Sequence, residues 1–261
     1  MNSPTLRMAA AQMASGPDPV ANLASAVSFA ERAADLGAAV VVYPEAAMAC
    51  FGTRLRDIAE PLDGPFASGL RACASRLGIT LVAGLFEPAG DEAGRVYNTL
   101  LLTGPDGDVT YRKIHLYDAF GSRESDTVAP GDTLVTTTVS GATVGLATCY
   151  DLRFADQFTA LGKAGASLIL VPAAWGDGPG KAEQWDVLVR ARAMDAQAYL
   201  VACDQAWQPP VGAAPLGIGR SAIIDPLGVV RAQLNHEAGL LVGDVDLATV
   251  APVRERVPIL R

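Results

Sequence analysis

Short apolar runs alternate with amphipathic stretches along most of this chain. Leu6 to Met13, Ala39 to Tyr43 and Ile79 to Phe86 are apolar and of strand length. Between them, Asn22 to Leu36 and Phe66 to Leu77 repeat apolar residues at helical spacing, with Leu23, Val27, Ala30 and Ala34 on one side of the first. Gly37 and Gly78 stop these two helices. The middle changes character. Tyr97 to Leu102 and Val109 to Lys113, joined through Gly104-Pro105-Asp106-Gly107, predict an antiparallel hairpin. Leu116 to Asp132 predicts a long connection, and Leu134 to Val139 with Thr143 to Thr148 a second strand pair. Alternation then resumes. Phe154 to Lys163 and Lys181 to Gln197 predict helices, and Ala166 to Val171 and Tyr199 to Asp204 strands. Gly219 to Ile224 and Val229 to Gln233 form a hairpin about Pro226-Leu227-Gly228, Gly239 to Val245 is a late strand, and Pro252 to Arg261 is expected to be irregular. Alternating helices and strands plus hairpins imply an α/β chain, with two mixed sheets facing each other and helices packed outside.

Three apolar runs end in a residue able to do chemistry. Val40-Val41-Val42-Tyr43-Pro44 ends in Glu45, Val109-Thr110-Tyr111-Arg112 in Lys113, and Val144-Gly145-Leu146-Ala147-Thr148 in Cys149. A strand end holds a side chain rigidly yet lets it face a cleft. A thiol there is either a small buried hydrophobe or a nucleophile; with an ordinary pKa of ~8.5 it needs a base or a cation to act at neutral pH. Glu45, flanked by apolar residues, is either that base or a helix first-turn acid. Lys113 is either a solvated edge charge or an oxyanion donor. Glu124, in Gly121-Ser122-Arg123-Glu124-Ser125-Asp126, reads by itself as a loop acid. Asp151 and Arg153 are expected to pair with each other and brace the turn after Cys149. Cys50, Cys73 and Cys203 read as structural. Gly178-Pro179-Gly180-Lys181-Ala182 is no phosphate loop, because Trp175 stands where the first glycine belongs and Ala182 where a hydroxyl belongs.

Composition narrows the class. The 261 residues are half hydrophobic and show no linker or low-complexity tract, so a single domain over 1–261 is expected. The net charge of −8 and the lack of a Lys/Arg stripe argue against a nucleic-acid partner. No apolar stretch approaches the ~20 residues that span a bilayer. The start, Met1-Asn2-Ser3-Pro4-Thr5-Leu6-Arg7, lacks a secretory pattern, and the four dispersed cysteines suit a reduced, cytoplasmic setting. With two histidines and no paired metal spacing, no metal and no cofactor are expected.

Taken in order, Tyr43-Pro44-Glu45, Tyr111-Arg112-Lys113-Ile114-His115-Leu116-Tyr117-Asp118 and Cys149-Tyr150-Asp151-Leu152-Arg153-Phe154 resemble the nitrilase superfamily of carbon–nitrogen hydrolases. The resemblance runs from Ala10-Ala11-Gln12 to Val257-Pro258. It implies a four-layer α-β-β-α sandwich and subunits paired through outer helices as a homodimer or higher homo-oligomer. Glu45, Lys113 and Cys149 become a catalytic triad. Glu124, followed by Pro130-Gly131-Asp132, becomes a second glutamate that holds the lysine and the substrate. The implied reaction is hydrolysis of a small-molecule amide to carboxylate and ammonia through a cysteine thioester. Nitrile or N-carbamoyl hydrolysis on the same residues is the alternative, and a non-catalytic interaction protein the remote one. Tyr150, Ala174, Trp175 and Arg153 are the implied substrate-binding residues. Glu124-Ser125 and Arg190-Ala191-Arg192-Ala193 point to the branch of ω-amidases and deaminated-glutathione amidases. Where that branch often carries Gly-Pro-Ala-His-Trp-Glu, this chain reads Gly180-Lys181-Ala182-Glu183-Gln184-Trp185-Asp186, keeping the tryptophan and losing the histidine.

Overall fold

A computed structural model describes residues 5–209 and 217–260. Residues 1–4, part of the start read above for a leader, and residue 261 of the tail lie outside the described residues.

The chain runs β1 (Thr5–Gln12), α1 (Pro19–Asp35), β2 (Val40–Val42), α2 (Leu55–Ile58), α3 (Pro65–Leu77), β3 (Thr80–Pro88), β4 (Val96–Gly104) and β5 (Gly107–Arg112). It continues with β6 (Val128–Ala129), β7 (Thr136–Val139), β8 (Ala142–Leu146), α4 (Ala155–Lys163), β9 (Leu168–Ala173), α5 (Lys181–Ala196) and β10 (Tyr199–Asp204). Last come β11 (Ala222–Ile224), β12 (Val230–Gln233), β13 (Gly239–Asp246) and α6 (Val250–Arg256). One mixed sheet has the order β13-β1-β2-β3-β4-β5, with β6 beside β4; the other has the order β12-β11-β10-β9-β8-β7.

Strand periodicity builds the layers. Met8 and Ala10 of β1, Val40 and Val42 of β2, and Val82 of β3 point inward, against Val144, Leu146, Leu168, Leu170 and Val201 of the second sheet. The intervening Ala9, Ala11, Val41, Leu81 and Ala83 point outward, under Ala26 and Ala30 of α1 and Phe66 and Leu70 of α3. On the other side Ile169, Val171, Leu200 and Ala202 meet Phe158 and Leu161 of α4 and Trp185 and Val189 of α5. Strands covered on both faces need apolar residues at both parities, which is why they read as continuous runs. The product is the four-layer α-β-β-α sandwich.

Several boundaries differ from the pattern, two of them for a plain physical reason. Helix α1 begins at Pro19, because Asp18 caps it by accepting from Val20 N at 2.9 Å and proline suits the first turn. The tail is not irregular from Pro252, which instead sits inside the first turn of α6, where a missing N–H costs no helical bond. Among the described residues no helix is long and apolar enough to cross a membrane.

Candidate active site

Glu45, Lys113, Glu124 and Cys149 come from four separate stretches and line one pocket of about 370 Å³. Glu45 lies just past β2 and is 1% exposed. Its Oε1 accepts from Lys113 Nζ at 2.8 Å and from Asn98 Nδ2 at 2.7 Å; its Oε2 accepts from the backbone N–H of Ala174 at 2.9 Å. The backbone around it is equally tied. Gln205 Nε2 donates to the Glu45 carbonyl at 2.9 Å, Asn22 Nδ2 donates to the Met48 carbonyl at 2.9 Å, and Ala46 adopts φ 55°.

Gly84 of β3 makes this close path possible. A β-carbon there would sit 2.6 Å from Ala46 N and 2.8 Å from Glu45 Cα. Both are backbone atoms that cannot yield without moving the carboxylate. Gly84→Ala should therefore cost about 1–3 kcal/mol of stability, the usual range for overpacking. It should also lower kcat, as read by denaturant melts and steady-state turnover. Unchanged values of both would contradict this placement of Glu45.

Lys113 is one residue beyond the end of β5. Its N–H donates to the Asn98 carbonyl at 2.9 Å and its carbonyl accepts from Gly131 N at 2.8 Å. Its ammonium, 2% exposed, also donates to Glu124 Oε1 at 3.1 Å and Oε2 at 2.9 Å. Burial alone would discharge the amine; Glu124, Glu45 and Cys149 outweigh it and hold the pKa well above the ordinary lysine value. Glu124 opens a 3₁₀ turn in the long connection, which β6 also anchors to β4. Its Oε2 accepts from Tyr117 N at 2.6 Å, and Asn98 Nδ2 reaches its Oε1 at 3.2 Å. Asn98 thus joins both carboxylates. A polar amide inside the apolar run of β4 was the one signal for it in the sequence.

Cys149 starts a 3₁₀ turn, Cys149–Arg153, separated from the end of β8 by Ala147 and Thr148, and takes φ 46°. A non-glycine residue in that region is strained and persists because its surroundings fix it. Asp151 caps the turn, its carboxylate accepting from Thr148 N while its own N–H donates to the Thr148 carbonyl at 2.9 Å. Asp151 is not paired with Arg153. Its Oδ2 accepts from Tyr111 Oη at 2.5 Å and Thr148 N at 2.8 Å, and its Oδ1 meets His115 N at 3.1 Å and Nδ1 at 2.9 Å. A fully buried carboxylate takes several donors in preference to one solvated arginine. In doing so it locks the cysteine turn to the segment carrying Lys113. Arg153 instead turns to the pocket and donates through Nη2 to Gln184 Oε1 at 2.6 Å.

Burial pushes the Cys149 thiol well above its ordinary value; the Glu45 charge adds to the rise, Lys113 opposes it, and accepting from the thiol lets Glu45 raise it further. The resting sulfur is therefore protonated and next to a carboxylate. Below its pKa, the thiolate fraction grows tenfold per pH unit. Alkylation of Cys149 by iodoacetamide should accordingly climb with pH from neutral to past the ordinary thiol range. A rate already flat at neutral pH would contradict the protonated resting state.

Tyr150, Ala174 and Trp175 also line the pocket. Successive N–H groups there are split between two acids: Ala174 N goes to Glu45, and Trp175 N to Asp204 Oδ1 at 2.7 Å. Asp204 Oδ2 accepts from Ile218 N at 2.9 Å, and burial pushes this carboxyl well up against those donors. Asp204 and Gln205, at the end of β10, carry no motif that singles them out. Among the described residues no group of three or more His, Cys, Asp or Glu is placed to hold a metal ion.

The carbon-nitrogen hydrolase family matches residues 7–255. A hydrolase of Mycobacterium tuberculosis is 49% identical, over 98% of this chain and 95% of its own. The ω-amidase NIT2 of Mus musculus is 34% identical, over 98% of this chain and 94% of its own. The crystal structure of Saccharomyces cerevisiae Nit3, a member of branch 10 of the nitrilase superfamily, superposes with a TM-score of 0.86 at 26% identity, covering 100% of this chain and 97% of that one. A family match over nearly the whole chain, relatives matched along nearly their full length and a shared four-layer fold lead to one conclusion: this chain belongs to the carbon-nitrogen hydrolase family of the nitrilase superfamily, as a hydrolase of amide carbon–nitrogen bonds.

Proposed function

We propose that the chain hydrolyses a linear small-molecule amide to a carboxylate and ammonia through a thioester on Cys149. One observation carries this reading: two carboxylates converge on the Lys113 ammonium, at 2.8 and 2.9 Å, beside a strained cysteine on the wall of a pocket. Glu45 takes the thiol proton as sulfur attacks the amide carbon. The oxyanion sits on Lys113 Nζ and the Tyr150 N–H. The Glu45 proton passes to the departing nitrogen, the C–N bond breaks and ammonia leaves. Glu45 then deprotonates a water, which attacks the thioester; the acid departs and sulfur regains its proton. Splitting hydrolysis at a covalent intermediate replaces one difficult step with two easier ones. Glu124 holds Lys113 in place and meets the substrate nitrogen. The scheme needs no metal or cofactor.

Trp175, Tyr150 and Ala174 wall the substrate, and Arg153 anchors a distal carboxylate. Its Nε is buried with no partner, whereas Arg123 is exposed and lies 3.4 Å from Asp126. An ω-amide of a small dicarboxylate fits that anchor, in keeping with the ω-amidase relative. A single cytoplasmic domain that pairs as a homodimer completes the proposal. The test is a panel of matched amides, nitriles and N-carbamoyl compounds read by ammonia release. Turnover of amides ahead of their nitrile partners is expected, with no carbon dioxide; turnover of nitriles alone, or release of carbon dioxide, would overturn it.

A further inference from the structure

Two cations face this pocket without an anion. Arg153 ends the turn that begins at Cys149, and Lys181 opens α5; both are half-buried. The partners they have are neutral: Gln184 Oε1 for Arg153, and the Tyr117 hydroxyl at 3.1 Å for Lys181. Among the described residues neither forms an ion pair, although Arg7, Arg112 and Arg220 each meet a carboxylate. The pocket's own acids, Glu45 and Glu124, are both taken by Lys113.

The two cations also share their rings. Arg153 lies 5.0 Å from the Trp175 ring centre and Lys181 5.8 Å; the corresponding distances to Phe120 are 5.8 and 4.0 Å. Cation–π attraction offsets part of the repulsion between like charges in a half-dry cleft, but it supplies no counter-charge. Phe120 itself is 70% exposed, with φ 52°, on the loop that leads to Glu124.

We infer that the amide substrate carries two negative charges at the end remote from its amide, gripped jointly by Arg153 and Lys181 between Trp175 and Phe120. This rests on the amide-hydrolase reading above and deepens it. One cation suffices for a single carboxylate; two unpaired cations over common rings match a pair of carboxylates or one phosphonate-type dianion, where charge-assisted bonds are strongest.

Calorimetry on the Cys149→Ala protein, with and without Lys181→Gln, tests binding without turnover. The probes are butyramide, succinamate, the terminal monoamide of tricarballylic acid, and 3-phosphonopropionamide above its second ionisation. At least one of the two dianionic amides should bind about tenfold or more tighter than succinamate, and Lys181→Gln should remove most of that advantage while changing butyramide affinity less than about twofold. The dianion that gains identifies its charged group. Equal affinities for succinamate and both dianions, or an equal loss for every ligand on Lys181→Gln, would overturn the inference. Ammonia release is measured separately on the protein with Cys149 intact, so a failure of hydrolysis and a failure of dianion preference are told apart.

Discussion

Replacing Cys149 with alanine should reduce ammonia release by about 10⁴- to 10⁶-fold, the range seen when a covalent nucleophile is removed. The fold should tolerate the change. The residue holds φ 46° in either form, the side chain loses a single atom, and the neighbouring Glu45 keeps its donors Lys113 Nζ, Asn98 Nδ2 and Ala174 N, so the loss costs little. Substrate affinity should survive, because the rest of the pocket is untouched. Melting curves, calorimetric affinity and single-turnover assays of the purified variant together check this. Folded protein that still releases ammonia at near the parental rate would mean that sulfur is not the attacking atom.

Replacing Lys113 with methionine should be costly in two ways. The ammonium neutralises two carboxylates in a site where the lysine is 2% and Glu45 1% exposed. Removing one partner of a buried ion pair leaves an uncompensated charge, at a cost of about 3–5 kcal/mol. Losing an oxyanion donor should lower kcat by a further factor of about 10²–10³. The double variant Lys113→Met/Glu124→Gln separates the two effects. Deleting one of the stranded charges should restore part of the stability and none of the turnover. Urea titrations and kcat measurements on both proteins decide the matter; a single variant with a stability loss under about 1 kcal/mol and intact turnover would contradict the charge balance described for the site.

What the sequence made legible, and what it hid, follows from the physics of each element. Strands buried on both faces leave continuous apolar runs, so Leu6 to Met13 and Tyr199 to Asp204 were readable close to their observed limits. Glu45, Lys113 and Cys149 stand out because a charged or reactive residue directly follows such a run. Glu124 reads by itself as a loop acid; only the family resemblance of Arg123-Glu124-Ser125, followed by Pro130-Gly131-Asp132, singled it out. The supporting shell was hidden for two reasons. Asn98, Asp204 and Gln205 act through backbone groups and buried hydrogen bonds that bring together the ends of β2, β4, β9 and β10, and sequence spacing says nothing about contacts at that distance. Ala174 came with the resemblance as a pocket residue, but the N–H it gives Glu45 is one that any residue but proline supplies, so its identity could not signal that role. Asp151 was misread because adjacency to Arg153 suggested a pair, while full burial rewarded the donors of Tyr111, Thr148 and His115. Lys181 stood in a segment dismissed as a phosphate loop and given no other role; only folding brings it over Phe120 beside Arg153.

The central claim is that sulfur, ammonium and carboxylate act on one substrate carbon. Rapid acid quench of the working enzyme, followed by intact-mass and peptide mass spectrometry, reads it most directly. The account predicts that an acyl group of the substrate's own mass, less ammonia, appears on the peptide containing Cys149 during turnover and vanishes when substrate is exhausted. Steady ammonia release with no adduct on that peptide, or with the acyl group on Cys50, Cys73 or Cys203, would contradict it.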